Sequence, residues 1–405
     1  MVDRIASAVP ARQLLKLARE DRRAARAMLA DLSLDEQVAA VCESPIAMRS
    51  RLLDLCPEPE AVVPLLPEAE LCFTCKQVGV DDASWLLAHA TNEQIVACVD
   101  LDAWHGLAPD PVKLDTWLDA LAEAGDATLR RAARAMDAEM LALYVRQHVA
   151  VDLKPSGDED WQPPEGGQTL DGQFYYVARD PKDDVAVLTR LLRVLFEQDY
   201  WLYFRMLQSV QEELRSEVEE WALRWRTGRL EDLGFPSWDR SMRIYGHLRP
   251  DRLGELPTGS HEIETNEWVL PVWITGLPAA ADSRHALFRA VADLESDERA
   301  RFFYAFVSLA NEVAVADRRD LGDAETLPAT IEKAARVASL GLEHLATENG
   351  IALVEAVRLV PLEHVFRVGV NLAPDGVRPG ALDDEFDGRE YVDVDDPEPT
   401  PGAAS

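Results

Sequence analysis

Catalytic and metal signatures are scarce in this sequence. Its 405 residues include only eight histidines and five cysteines. No HExxH, Walker loop, GxSxG elbow or Rossmann glycine pattern occurs, so the usual sequence marks of metalloprotease, nucleotide, hydrolase and dinucleotide sites are missing. No run approaches the ~20 apolar residues that span a membrane. Met1-Val2-Asp3-Arg4-Ile5 is followed by no apolar h-region, and no secretory signal is expected. The cysteines (Cys42, Cys56, Cys72, Cys75, Cys98) are odd in number and all lie in the first quarter, so reduced thiols in a cytoplasmic protein are expected. Positive charge is also short: 41 bases face 73 acids, a net −32. Such a balance disfavours nucleic acid and anionic membranes and favours a basic partner or a cation. The same acidity also fits a GC-rich genome or a salty cytoplasm.

What the chain has is a spaced echo in its first 150 residues. Asp35-Glu36-Gln37-Val38-Ala39-Ala40 reads like Asn92-Glu93-Gln94-Ile95-Val96-Ala97, and Asp137-Ala138-Glu139-Met140-Leu141-Ala142 repeats it more loosely. Each is a polar helix start followed by an apolar run. Thr91 and Gln94 have capping-box spacing. Asp110-Pro111 supplies an N-cap and a first-turn proline, for a helix that stops at Gly125. Asp137 caps the next helix. A stack of short helices is expected, which makes a binding surface more readily than an active site.

Residues 152–173 are polar and rich in Pro and Gly, and read as a linker. Phe174–Val177 reads as a short strand. Helical spacing resumes near Asp183 and continues through an aromatic turn with Tyr200, Trp201, Tyr203 and Phe204. A helix is expected over 211–228, carrying Trp221 and Trp225, another over 297–316, and two more near 327–346 and 350–359. The stretch 267–274 is ambiguous, because Pro271 argues against a central strand. Residues 383–405 carry nine acids and one base; too little apolar surface is available there to fold alone. That tail is either solubilising or a docking segment anchored by Phe386, Tyr391 and Val392.

The chemistry-bearing residues are few. Cys72 and Cys75 form a CxxC, but zinc needs four ligands, and His89 and His105 would come from different helices. At i and i+3 both thiols share a stripe with Leu71 and Val78, so core packing is expected. His261, His344 and His364 are isolated, and no metal or cofactor is expected. Arg224, Arg226 and Arg229 cluster with Glu231 and Asp232 around a helix end. They either hold an anion or complement the helix dipole and pair with those acids. Asn311, Glu312 and Asp317 on the long helix mark a polar core network or a site.

Several segments resemble an uncharacterised bacterial family, a domain of unknown function of delta-proteobacterial type. The segments are Leu101–Gly106 (with Trp104 and His105), Arg224–Pro236, Leu309–Asp317, Ser339–Glu343 and Pro361–Gly369. The resemblance implies no known activity and no catalytic residue. Residues 60–150 are also similar to the helical intracellular N domain of MgtE-type magnesium transporters, which implies a superhelix of short helices.

An all-α, two-lobed protein is therefore expected: a helical-repeat domain over 1–151, a linker over 152–173, a helical domain over 174–372 and a disordered acidic tail over 373–405. Its expected function is a non-enzymatic protein-interaction or scaffold module that binds a protein partner through the concave face of the N-terminal helical stack, the tail or both, with Trp104 among the binding residues, without nucleic acid or membrane insertion. The alternative is an enzyme or ligand sensor in the C-terminal domain whose site gathers Arg224, Arg226, Arg229, Asn311 and Asp317 in one pocket; a third reading, from the acidity and the transporter-like repeat, is a divalent-cation sensor.

Overall fold

The computed structural model describes residues 11–157, 160–180, 182, 185–248, 283–324, 326–373 and 377. The protein is all-α, with twenty α-helices and two two-stranded ribbons among the described residues. None of these helices is long and apolar enough to cross a membrane. The segments around His261 and 267–274, and the tail residues Phe386, Tyr391 and Val392, lie outside the described residues.

The chain opens with short helices: α1 (Ala11–Glu20), α2 (Arg22–Ala30), α3 (Leu34–Cys42), α4 (Ile46–Leu53), α5 (Pro59–Val62), α6 (Glu68–Val78) and α7 (Ser84–His89). Then follow α8 (Asn92–Asp102), the ribbon β1 (Trp104–His105) with β2 (Ala108–Pro109), α9 (Pro111–Glu123), α10 (Asp126–Ala135) and α11 (Ala138–His148). The echo has a physical basis in capping. Ser33 and Glu36 close a capping box at α3, and Thr91 and Gln94 close one at α8, each satisfying two otherwise orphan N–H groups. Asp110 caps α9 through the amides of Val112 and Lys113. The looser third copy behaves differently: Asp137 sits at the N-cap of α11 but its carboxylate makes no cap hydrogen bond, because Arg229 holds it.

Helix α8 is buried all round from Gln94 to Asp102, and α6 is buried from Ala69 to Cys75. A helix without a polar face belongs inside, and these two pack together at the centre of the first core. Cys72 and Cys75 are part of that contact, both fully buried. Burial pushes the Cys75 thiol well above its ordinary value.

The polar stretch 152–173 is spanned by a hairpin. Strand β3 (Val149–Leu153) pairs antiparallel with β4 (Phe174–Ala178), Val149 opposite Ala178 and Leu153 opposite Phe174. Phe174 and Tyr176 turn inward with Val149 and Val151. The chain continues into α12 (Ala186–Gln198), α13 (Tyr200–Glu212), α14 (Arg215–Asp232) and α15 (Trp238–Ser241). One apolar cluster runs from Leu14 through Phe235 and takes in Ala314 and Leu321. A second runs from Ile244 to Val377. The buried residues thus change cluster between Phe235 and Ile244, not at the polar stretch, since the hairpin holds both ends of that stretch on the first core.

The helix expected over 211–228 is two elements: α13 ends at Glu212, Leu214 takes the N-cap position, and α14 runs on through Gly228 to Asp232. The second core contains α16 (Ala286–Ala292), α17 (Ser296–Ala316), α18 (Thr326–Asn349), α19 (Leu353–Leu359) and α20 (Leu362–Leu372). Helices α18 and α20 cross at two glycines, Gly341 and Gly369. A Cβ on Gly341 would lie 2.8 Å from the Gly369 nitrogen, and one on Gly369 would lie 2.9 Å from the Val337 carbonyl carbon. The two backbones therefore touch, which only glycine permits.

Candidate functional site

The densest polar constellation surrounds the C-terminal end of α8. Asp100 and Asp102 stand two residues apart, so they face different neighbours. Asp100 receives Nε and Nη2 of Arg229 at 2.6 and 2.9 Å. The same guanidinium donates to both carboxylate oxygens of Asp137 at 2.7 Å. Asp102 accepts from Lys76 at 2.7 Å, from Lys113 at 3.3 Å and from the Trp117 indole at 3.0 Å. Lys113 also donates to Asp320 at 3.1 Å, from the loop between α17 and α18. Gly322 of that loop presses on α8, where a Cβ would come within 3.0 Å of the Asp102 Cβ.

Arg226 completes the group. Its Nε donates to the Asp100 carbonyl at 2.8 Å, and its guanidinium lies 4.7 Å from the centre of the Trp104 ring. Trp104 is only 7% exposed, and its indole nitrogen has no hydrogen-bond partner among the described residues. Burial pushes the Arg226 pKa down to about 10; Asp100 opposes this and the like charge of Arg229 adds to it. Arg226 thus keeps its proton at neutral pH. Burial also works against the charged form of Asp102, but Lys76, Trp117 and Lys113 outweigh it and hold its pKa below the ordinary value. For Arg229 the two carboxylates outweigh burial and raise its pKa.

Two ion-pair groups therefore flank the C-terminal end of α8: Arg229 with Asp100 and Asp137, and Lys76 and Lys113 with Asp102 and Asp320, while Arg226 is bound to the Asp100 carbonyl. Their members come from α6, α8, α9, α14, the start of α11 and the α17–α18 loop. Chemically the arrangement joins elements far apart in the chain. Asp100 and Asp102 carry much of it, and neither is among the residues expected at a site from the sequence. A signal for them exists there: two acids inside an otherwise apolar helix must find cations.

The candidate residues do not gather in one pocket. Arg226, Arg229 and Trp104 share the constellation just described. Arg224 instead lies on the surface, with its guanidinium 5.0 Å from the Trp221 ring, and Asp232 is exposed nearby. Glu231 accepts from the Ser237 amide, while Arg226 reaches α8 and Arg229 reaches α8 and Asp137 rather than their neighbours in sequence. Asn311 is buried and donates to the Gly234 carbonyl at 2.9 Å. Asp317 accepts from Tyr245 at 2.7 Å and from Lys333 at 2.7 and 2.9 Å. Among the described residues, no group of three or more His, Cys, Asp or Glu is placed to hold a metal.

Glu312, beside Asn311 on α17, is a carboxyl with a marked shift towards neutrality. Burial raises its pKa to about 7, the charge of Glu363 adds to this, and Arg240 opposes it. A carboxyl whose pKa is higher folded than unfolded stabilises the fold below its unfolded pKa and loses that contribution as pH rises through 7. Glu312→Gln, a neutral isostere, is therefore expected to match the wild-type melting temperature near pH 5 and exceed it near pH 8. Thermal scans of both proteins across that range test this; parallel curves would refute it.

Comparison with curated proteins and with solved structures returned no match. One family does match, over residues 26–375, a range that holds the whole α8 constellation and most of both apolar cores. The chain therefore belongs to the family of unknown function DUF6178.

Proposed function

We propose that the protein is a helical protein-interaction module whose contact surface is the outer face of α14. The observation that carries this reading is a pair of half-exposed tryptophans. Trp221 and Trp225, one turn apart, stack with ring centres 6.0 Å apart and are 45% and 48% exposed. Arg224 lies against Trp221, and Leu214, at the head of the same helix, is 64% exposed. Tryptophan and arginine dominate the energetics of protein interfaces, and water-exposed tryptophan is otherwise unfavourable. The fitting partner presents an apolar pocket for the indoles and a carboxylate for Arg224. The acidic tail with Phe386, Tyr391 and Val392 is a second contact in this proposal.

The test is affinity purification from the native host with the tagged full chain, compared with Trp221→Ala/Trp225→Ala. A partner whose recovery drops about ten-fold or more in the double variant supports the reading. Equal recovery of every co-purifying protein with both chains overturns it. Unchanged circular dichroism of the variant separates a lost contact from a lost fold.

A further inference from the structure

The molecule carries a basic surface against its overall charge. Residues 11–30 contain Arg12, Lys16, Arg19, Arg22, Arg23 and Arg26 against Glu20 and Asp21, in a chain of net −32. The folding of α1 and α2 sorts these charges. Ala11, Leu14, Leu15 and Ala18 of α1 turn inward, as do Ala25 and Leu29 of α2. Every one of the six cations is left exposed. Arg12, Lys16 and Arg19 recur at i, i+4 and i+7, so they share one face of α1.

Few of these charges are answered locally. Arg22 pairs with Asp54, and Lys16 reaches Glu20 at 3.9 Å. Arg12, Arg19, Arg23 and Arg26 have no ion-pair partner among the described residues. A groove of about 360 Å³ runs along this face, lined by Arg12, Leu15, Lys16, Arg19 and Glu20.

The opposite charge is at the other end of the sequence, where residues 383–405 carry nine acids and one base. Helix α1 and this acidic stretch both lie outside the residues that match the family. A chain of −32 repels an acidic peptide at long range, so short-range attraction is confined to surface that is locally positive. A tethered segment also meets such a surface at an effective concentration of roughly millimolar.

We infer that the acidic segment 383–398 docks on the basic face of α1 and α2 in the same chain. The contact is electrostatic, so it weakens with salt and competes with any acidic partner for the same arginines.

The test uses a fluorescein-labelled peptide of residues 383–398 and full-length protein. Its anisotropy is titrated with the wild-type chain and with a full-length variant whose acids at 383–398 are replaced by Asn and Gln. At ~50 mM salt the neutralised variant is expected to bind the peptide about ten-fold more tightly than wild type, whose own segment occupies the face. Adding Arg19→Gln, Arg23→Gln and Arg26→Gln to that variant is expected to weaken binding about ten-fold, and these changes keep good helix formers in exposed positions. Equal affinity of the wild-type and neutralised chains, absence of peptide binding, or binding that survives the arginine changes would each overturn the inference. Competition that grows with wild-type concentration, together with a doubled mass by light scattering, would overturn the intramolecular contact in favour of one between copies.

Discussion

Gly341→Ala destabilises the protein by about 3 kcal/mol, whereas the same change at Gly228 stabilises it by up to ~1 kcal/mol. Both glycines sit inside helices, α18 and α14, and alanine is the better helix former by ~1 kcal/mol at either place. Surroundings decide the sign. A Cβ on Gly228 meets nothing within 4 Å. One on Gly341 collides with the backbone of α20 at Val365 and Gly369, and backbone cannot swing aside as a flexible side chain does. The helices must separate, which loosens the tightly packed second core around Val337, Leu342, Val365 and Phe366. Urea unfolding of the two variants beside wild type checks the pair. Equal midpoints for Gly341→Ala and Gly228→Ala would refute the close-approach argument.

Removing the guanidinium that joins α8, α11 and α14 is the second large effect. Arg229→Met leaves the Asp100 and Asp137 side chains, 4% and 14% exposed, without their shared counter-charge. Breaking a buried pair by taking one partner costs about 3–5 kcal/mol. Much of that cost is the stranded carboxylates, so Arg229→Met/Asp100→Asn/Asp137→Asn is expected to recover half or more of the loss. Acid should help the single variant as well. Burial already raises the Asp100 pKa against the pull of Arg229, and losing Arg229 raises it further, so stability lost at pH 8 returns as pH falls towards 5. Urea titrations at both pH values measure this. A deficit unaffected by pH and by the added substitutions would show that Arg229 acts by packing alone.

The two experiments probe different kinds of join. The glycine crossing lies within the second core and depends on shape. The α8 constellation spans the first core, and its Asp320 and Gly322 arms come from the loop after α17, a helix largely of the second core. Leu321 of that loop is buried in the first cluster. The loop thus ties the two apolar clusters through buried Leu321 and through Asp320, which pairs with Lys113 and Lys76. Arg318 begins it with φ 52°, a left-handed conformation unusual for a residue with a Cβ, and its guanidinium lies 4.9 Å from the Trp238 ring.

Local chemistry is legible in the amino-acid sequence. Capping residues start helices by hydrogen bonds within three or four positions, and so Thr91, Gln94, Asp110 and Pro111 mark the starts of α8 and α9. The aromatic and apolar periodicity likewise marks α12, α13, α17 and α18. The all-α class follows from the same short-range signals. Burial of Cys72 and Cys75 is legible from the stripe they share with Leu71, although the packing of α6 against α8 buries every residue from Ala69 to Cys75 and not that stripe alone.

Partner choice across the chain is not legible in this way. Asp137 has the residue type and position of an N-cap, yet it pairs with an arginine 92 positions away. The arginines of α14 have acids beside them in sequence, yet Arg229 reaches back to Asp100, 129 positions away. Trp104 and Trp221 are the same residue type, but the first is buried beneath Arg226 and the second is half-exposed. Composition and spacing thus determined the helical class, the caps of α8 and α9 and the charge imbalance, since those depend on neighbours within a few residues. The tertiary structure alone decided which buried charges meet, where backbones touch at Gly341 and Gly369, and which tryptophans face water. Those outcomes depend on desolvation and shape at contacts between residues up to about two hundred positions apart, such as Lys113 with Asp320.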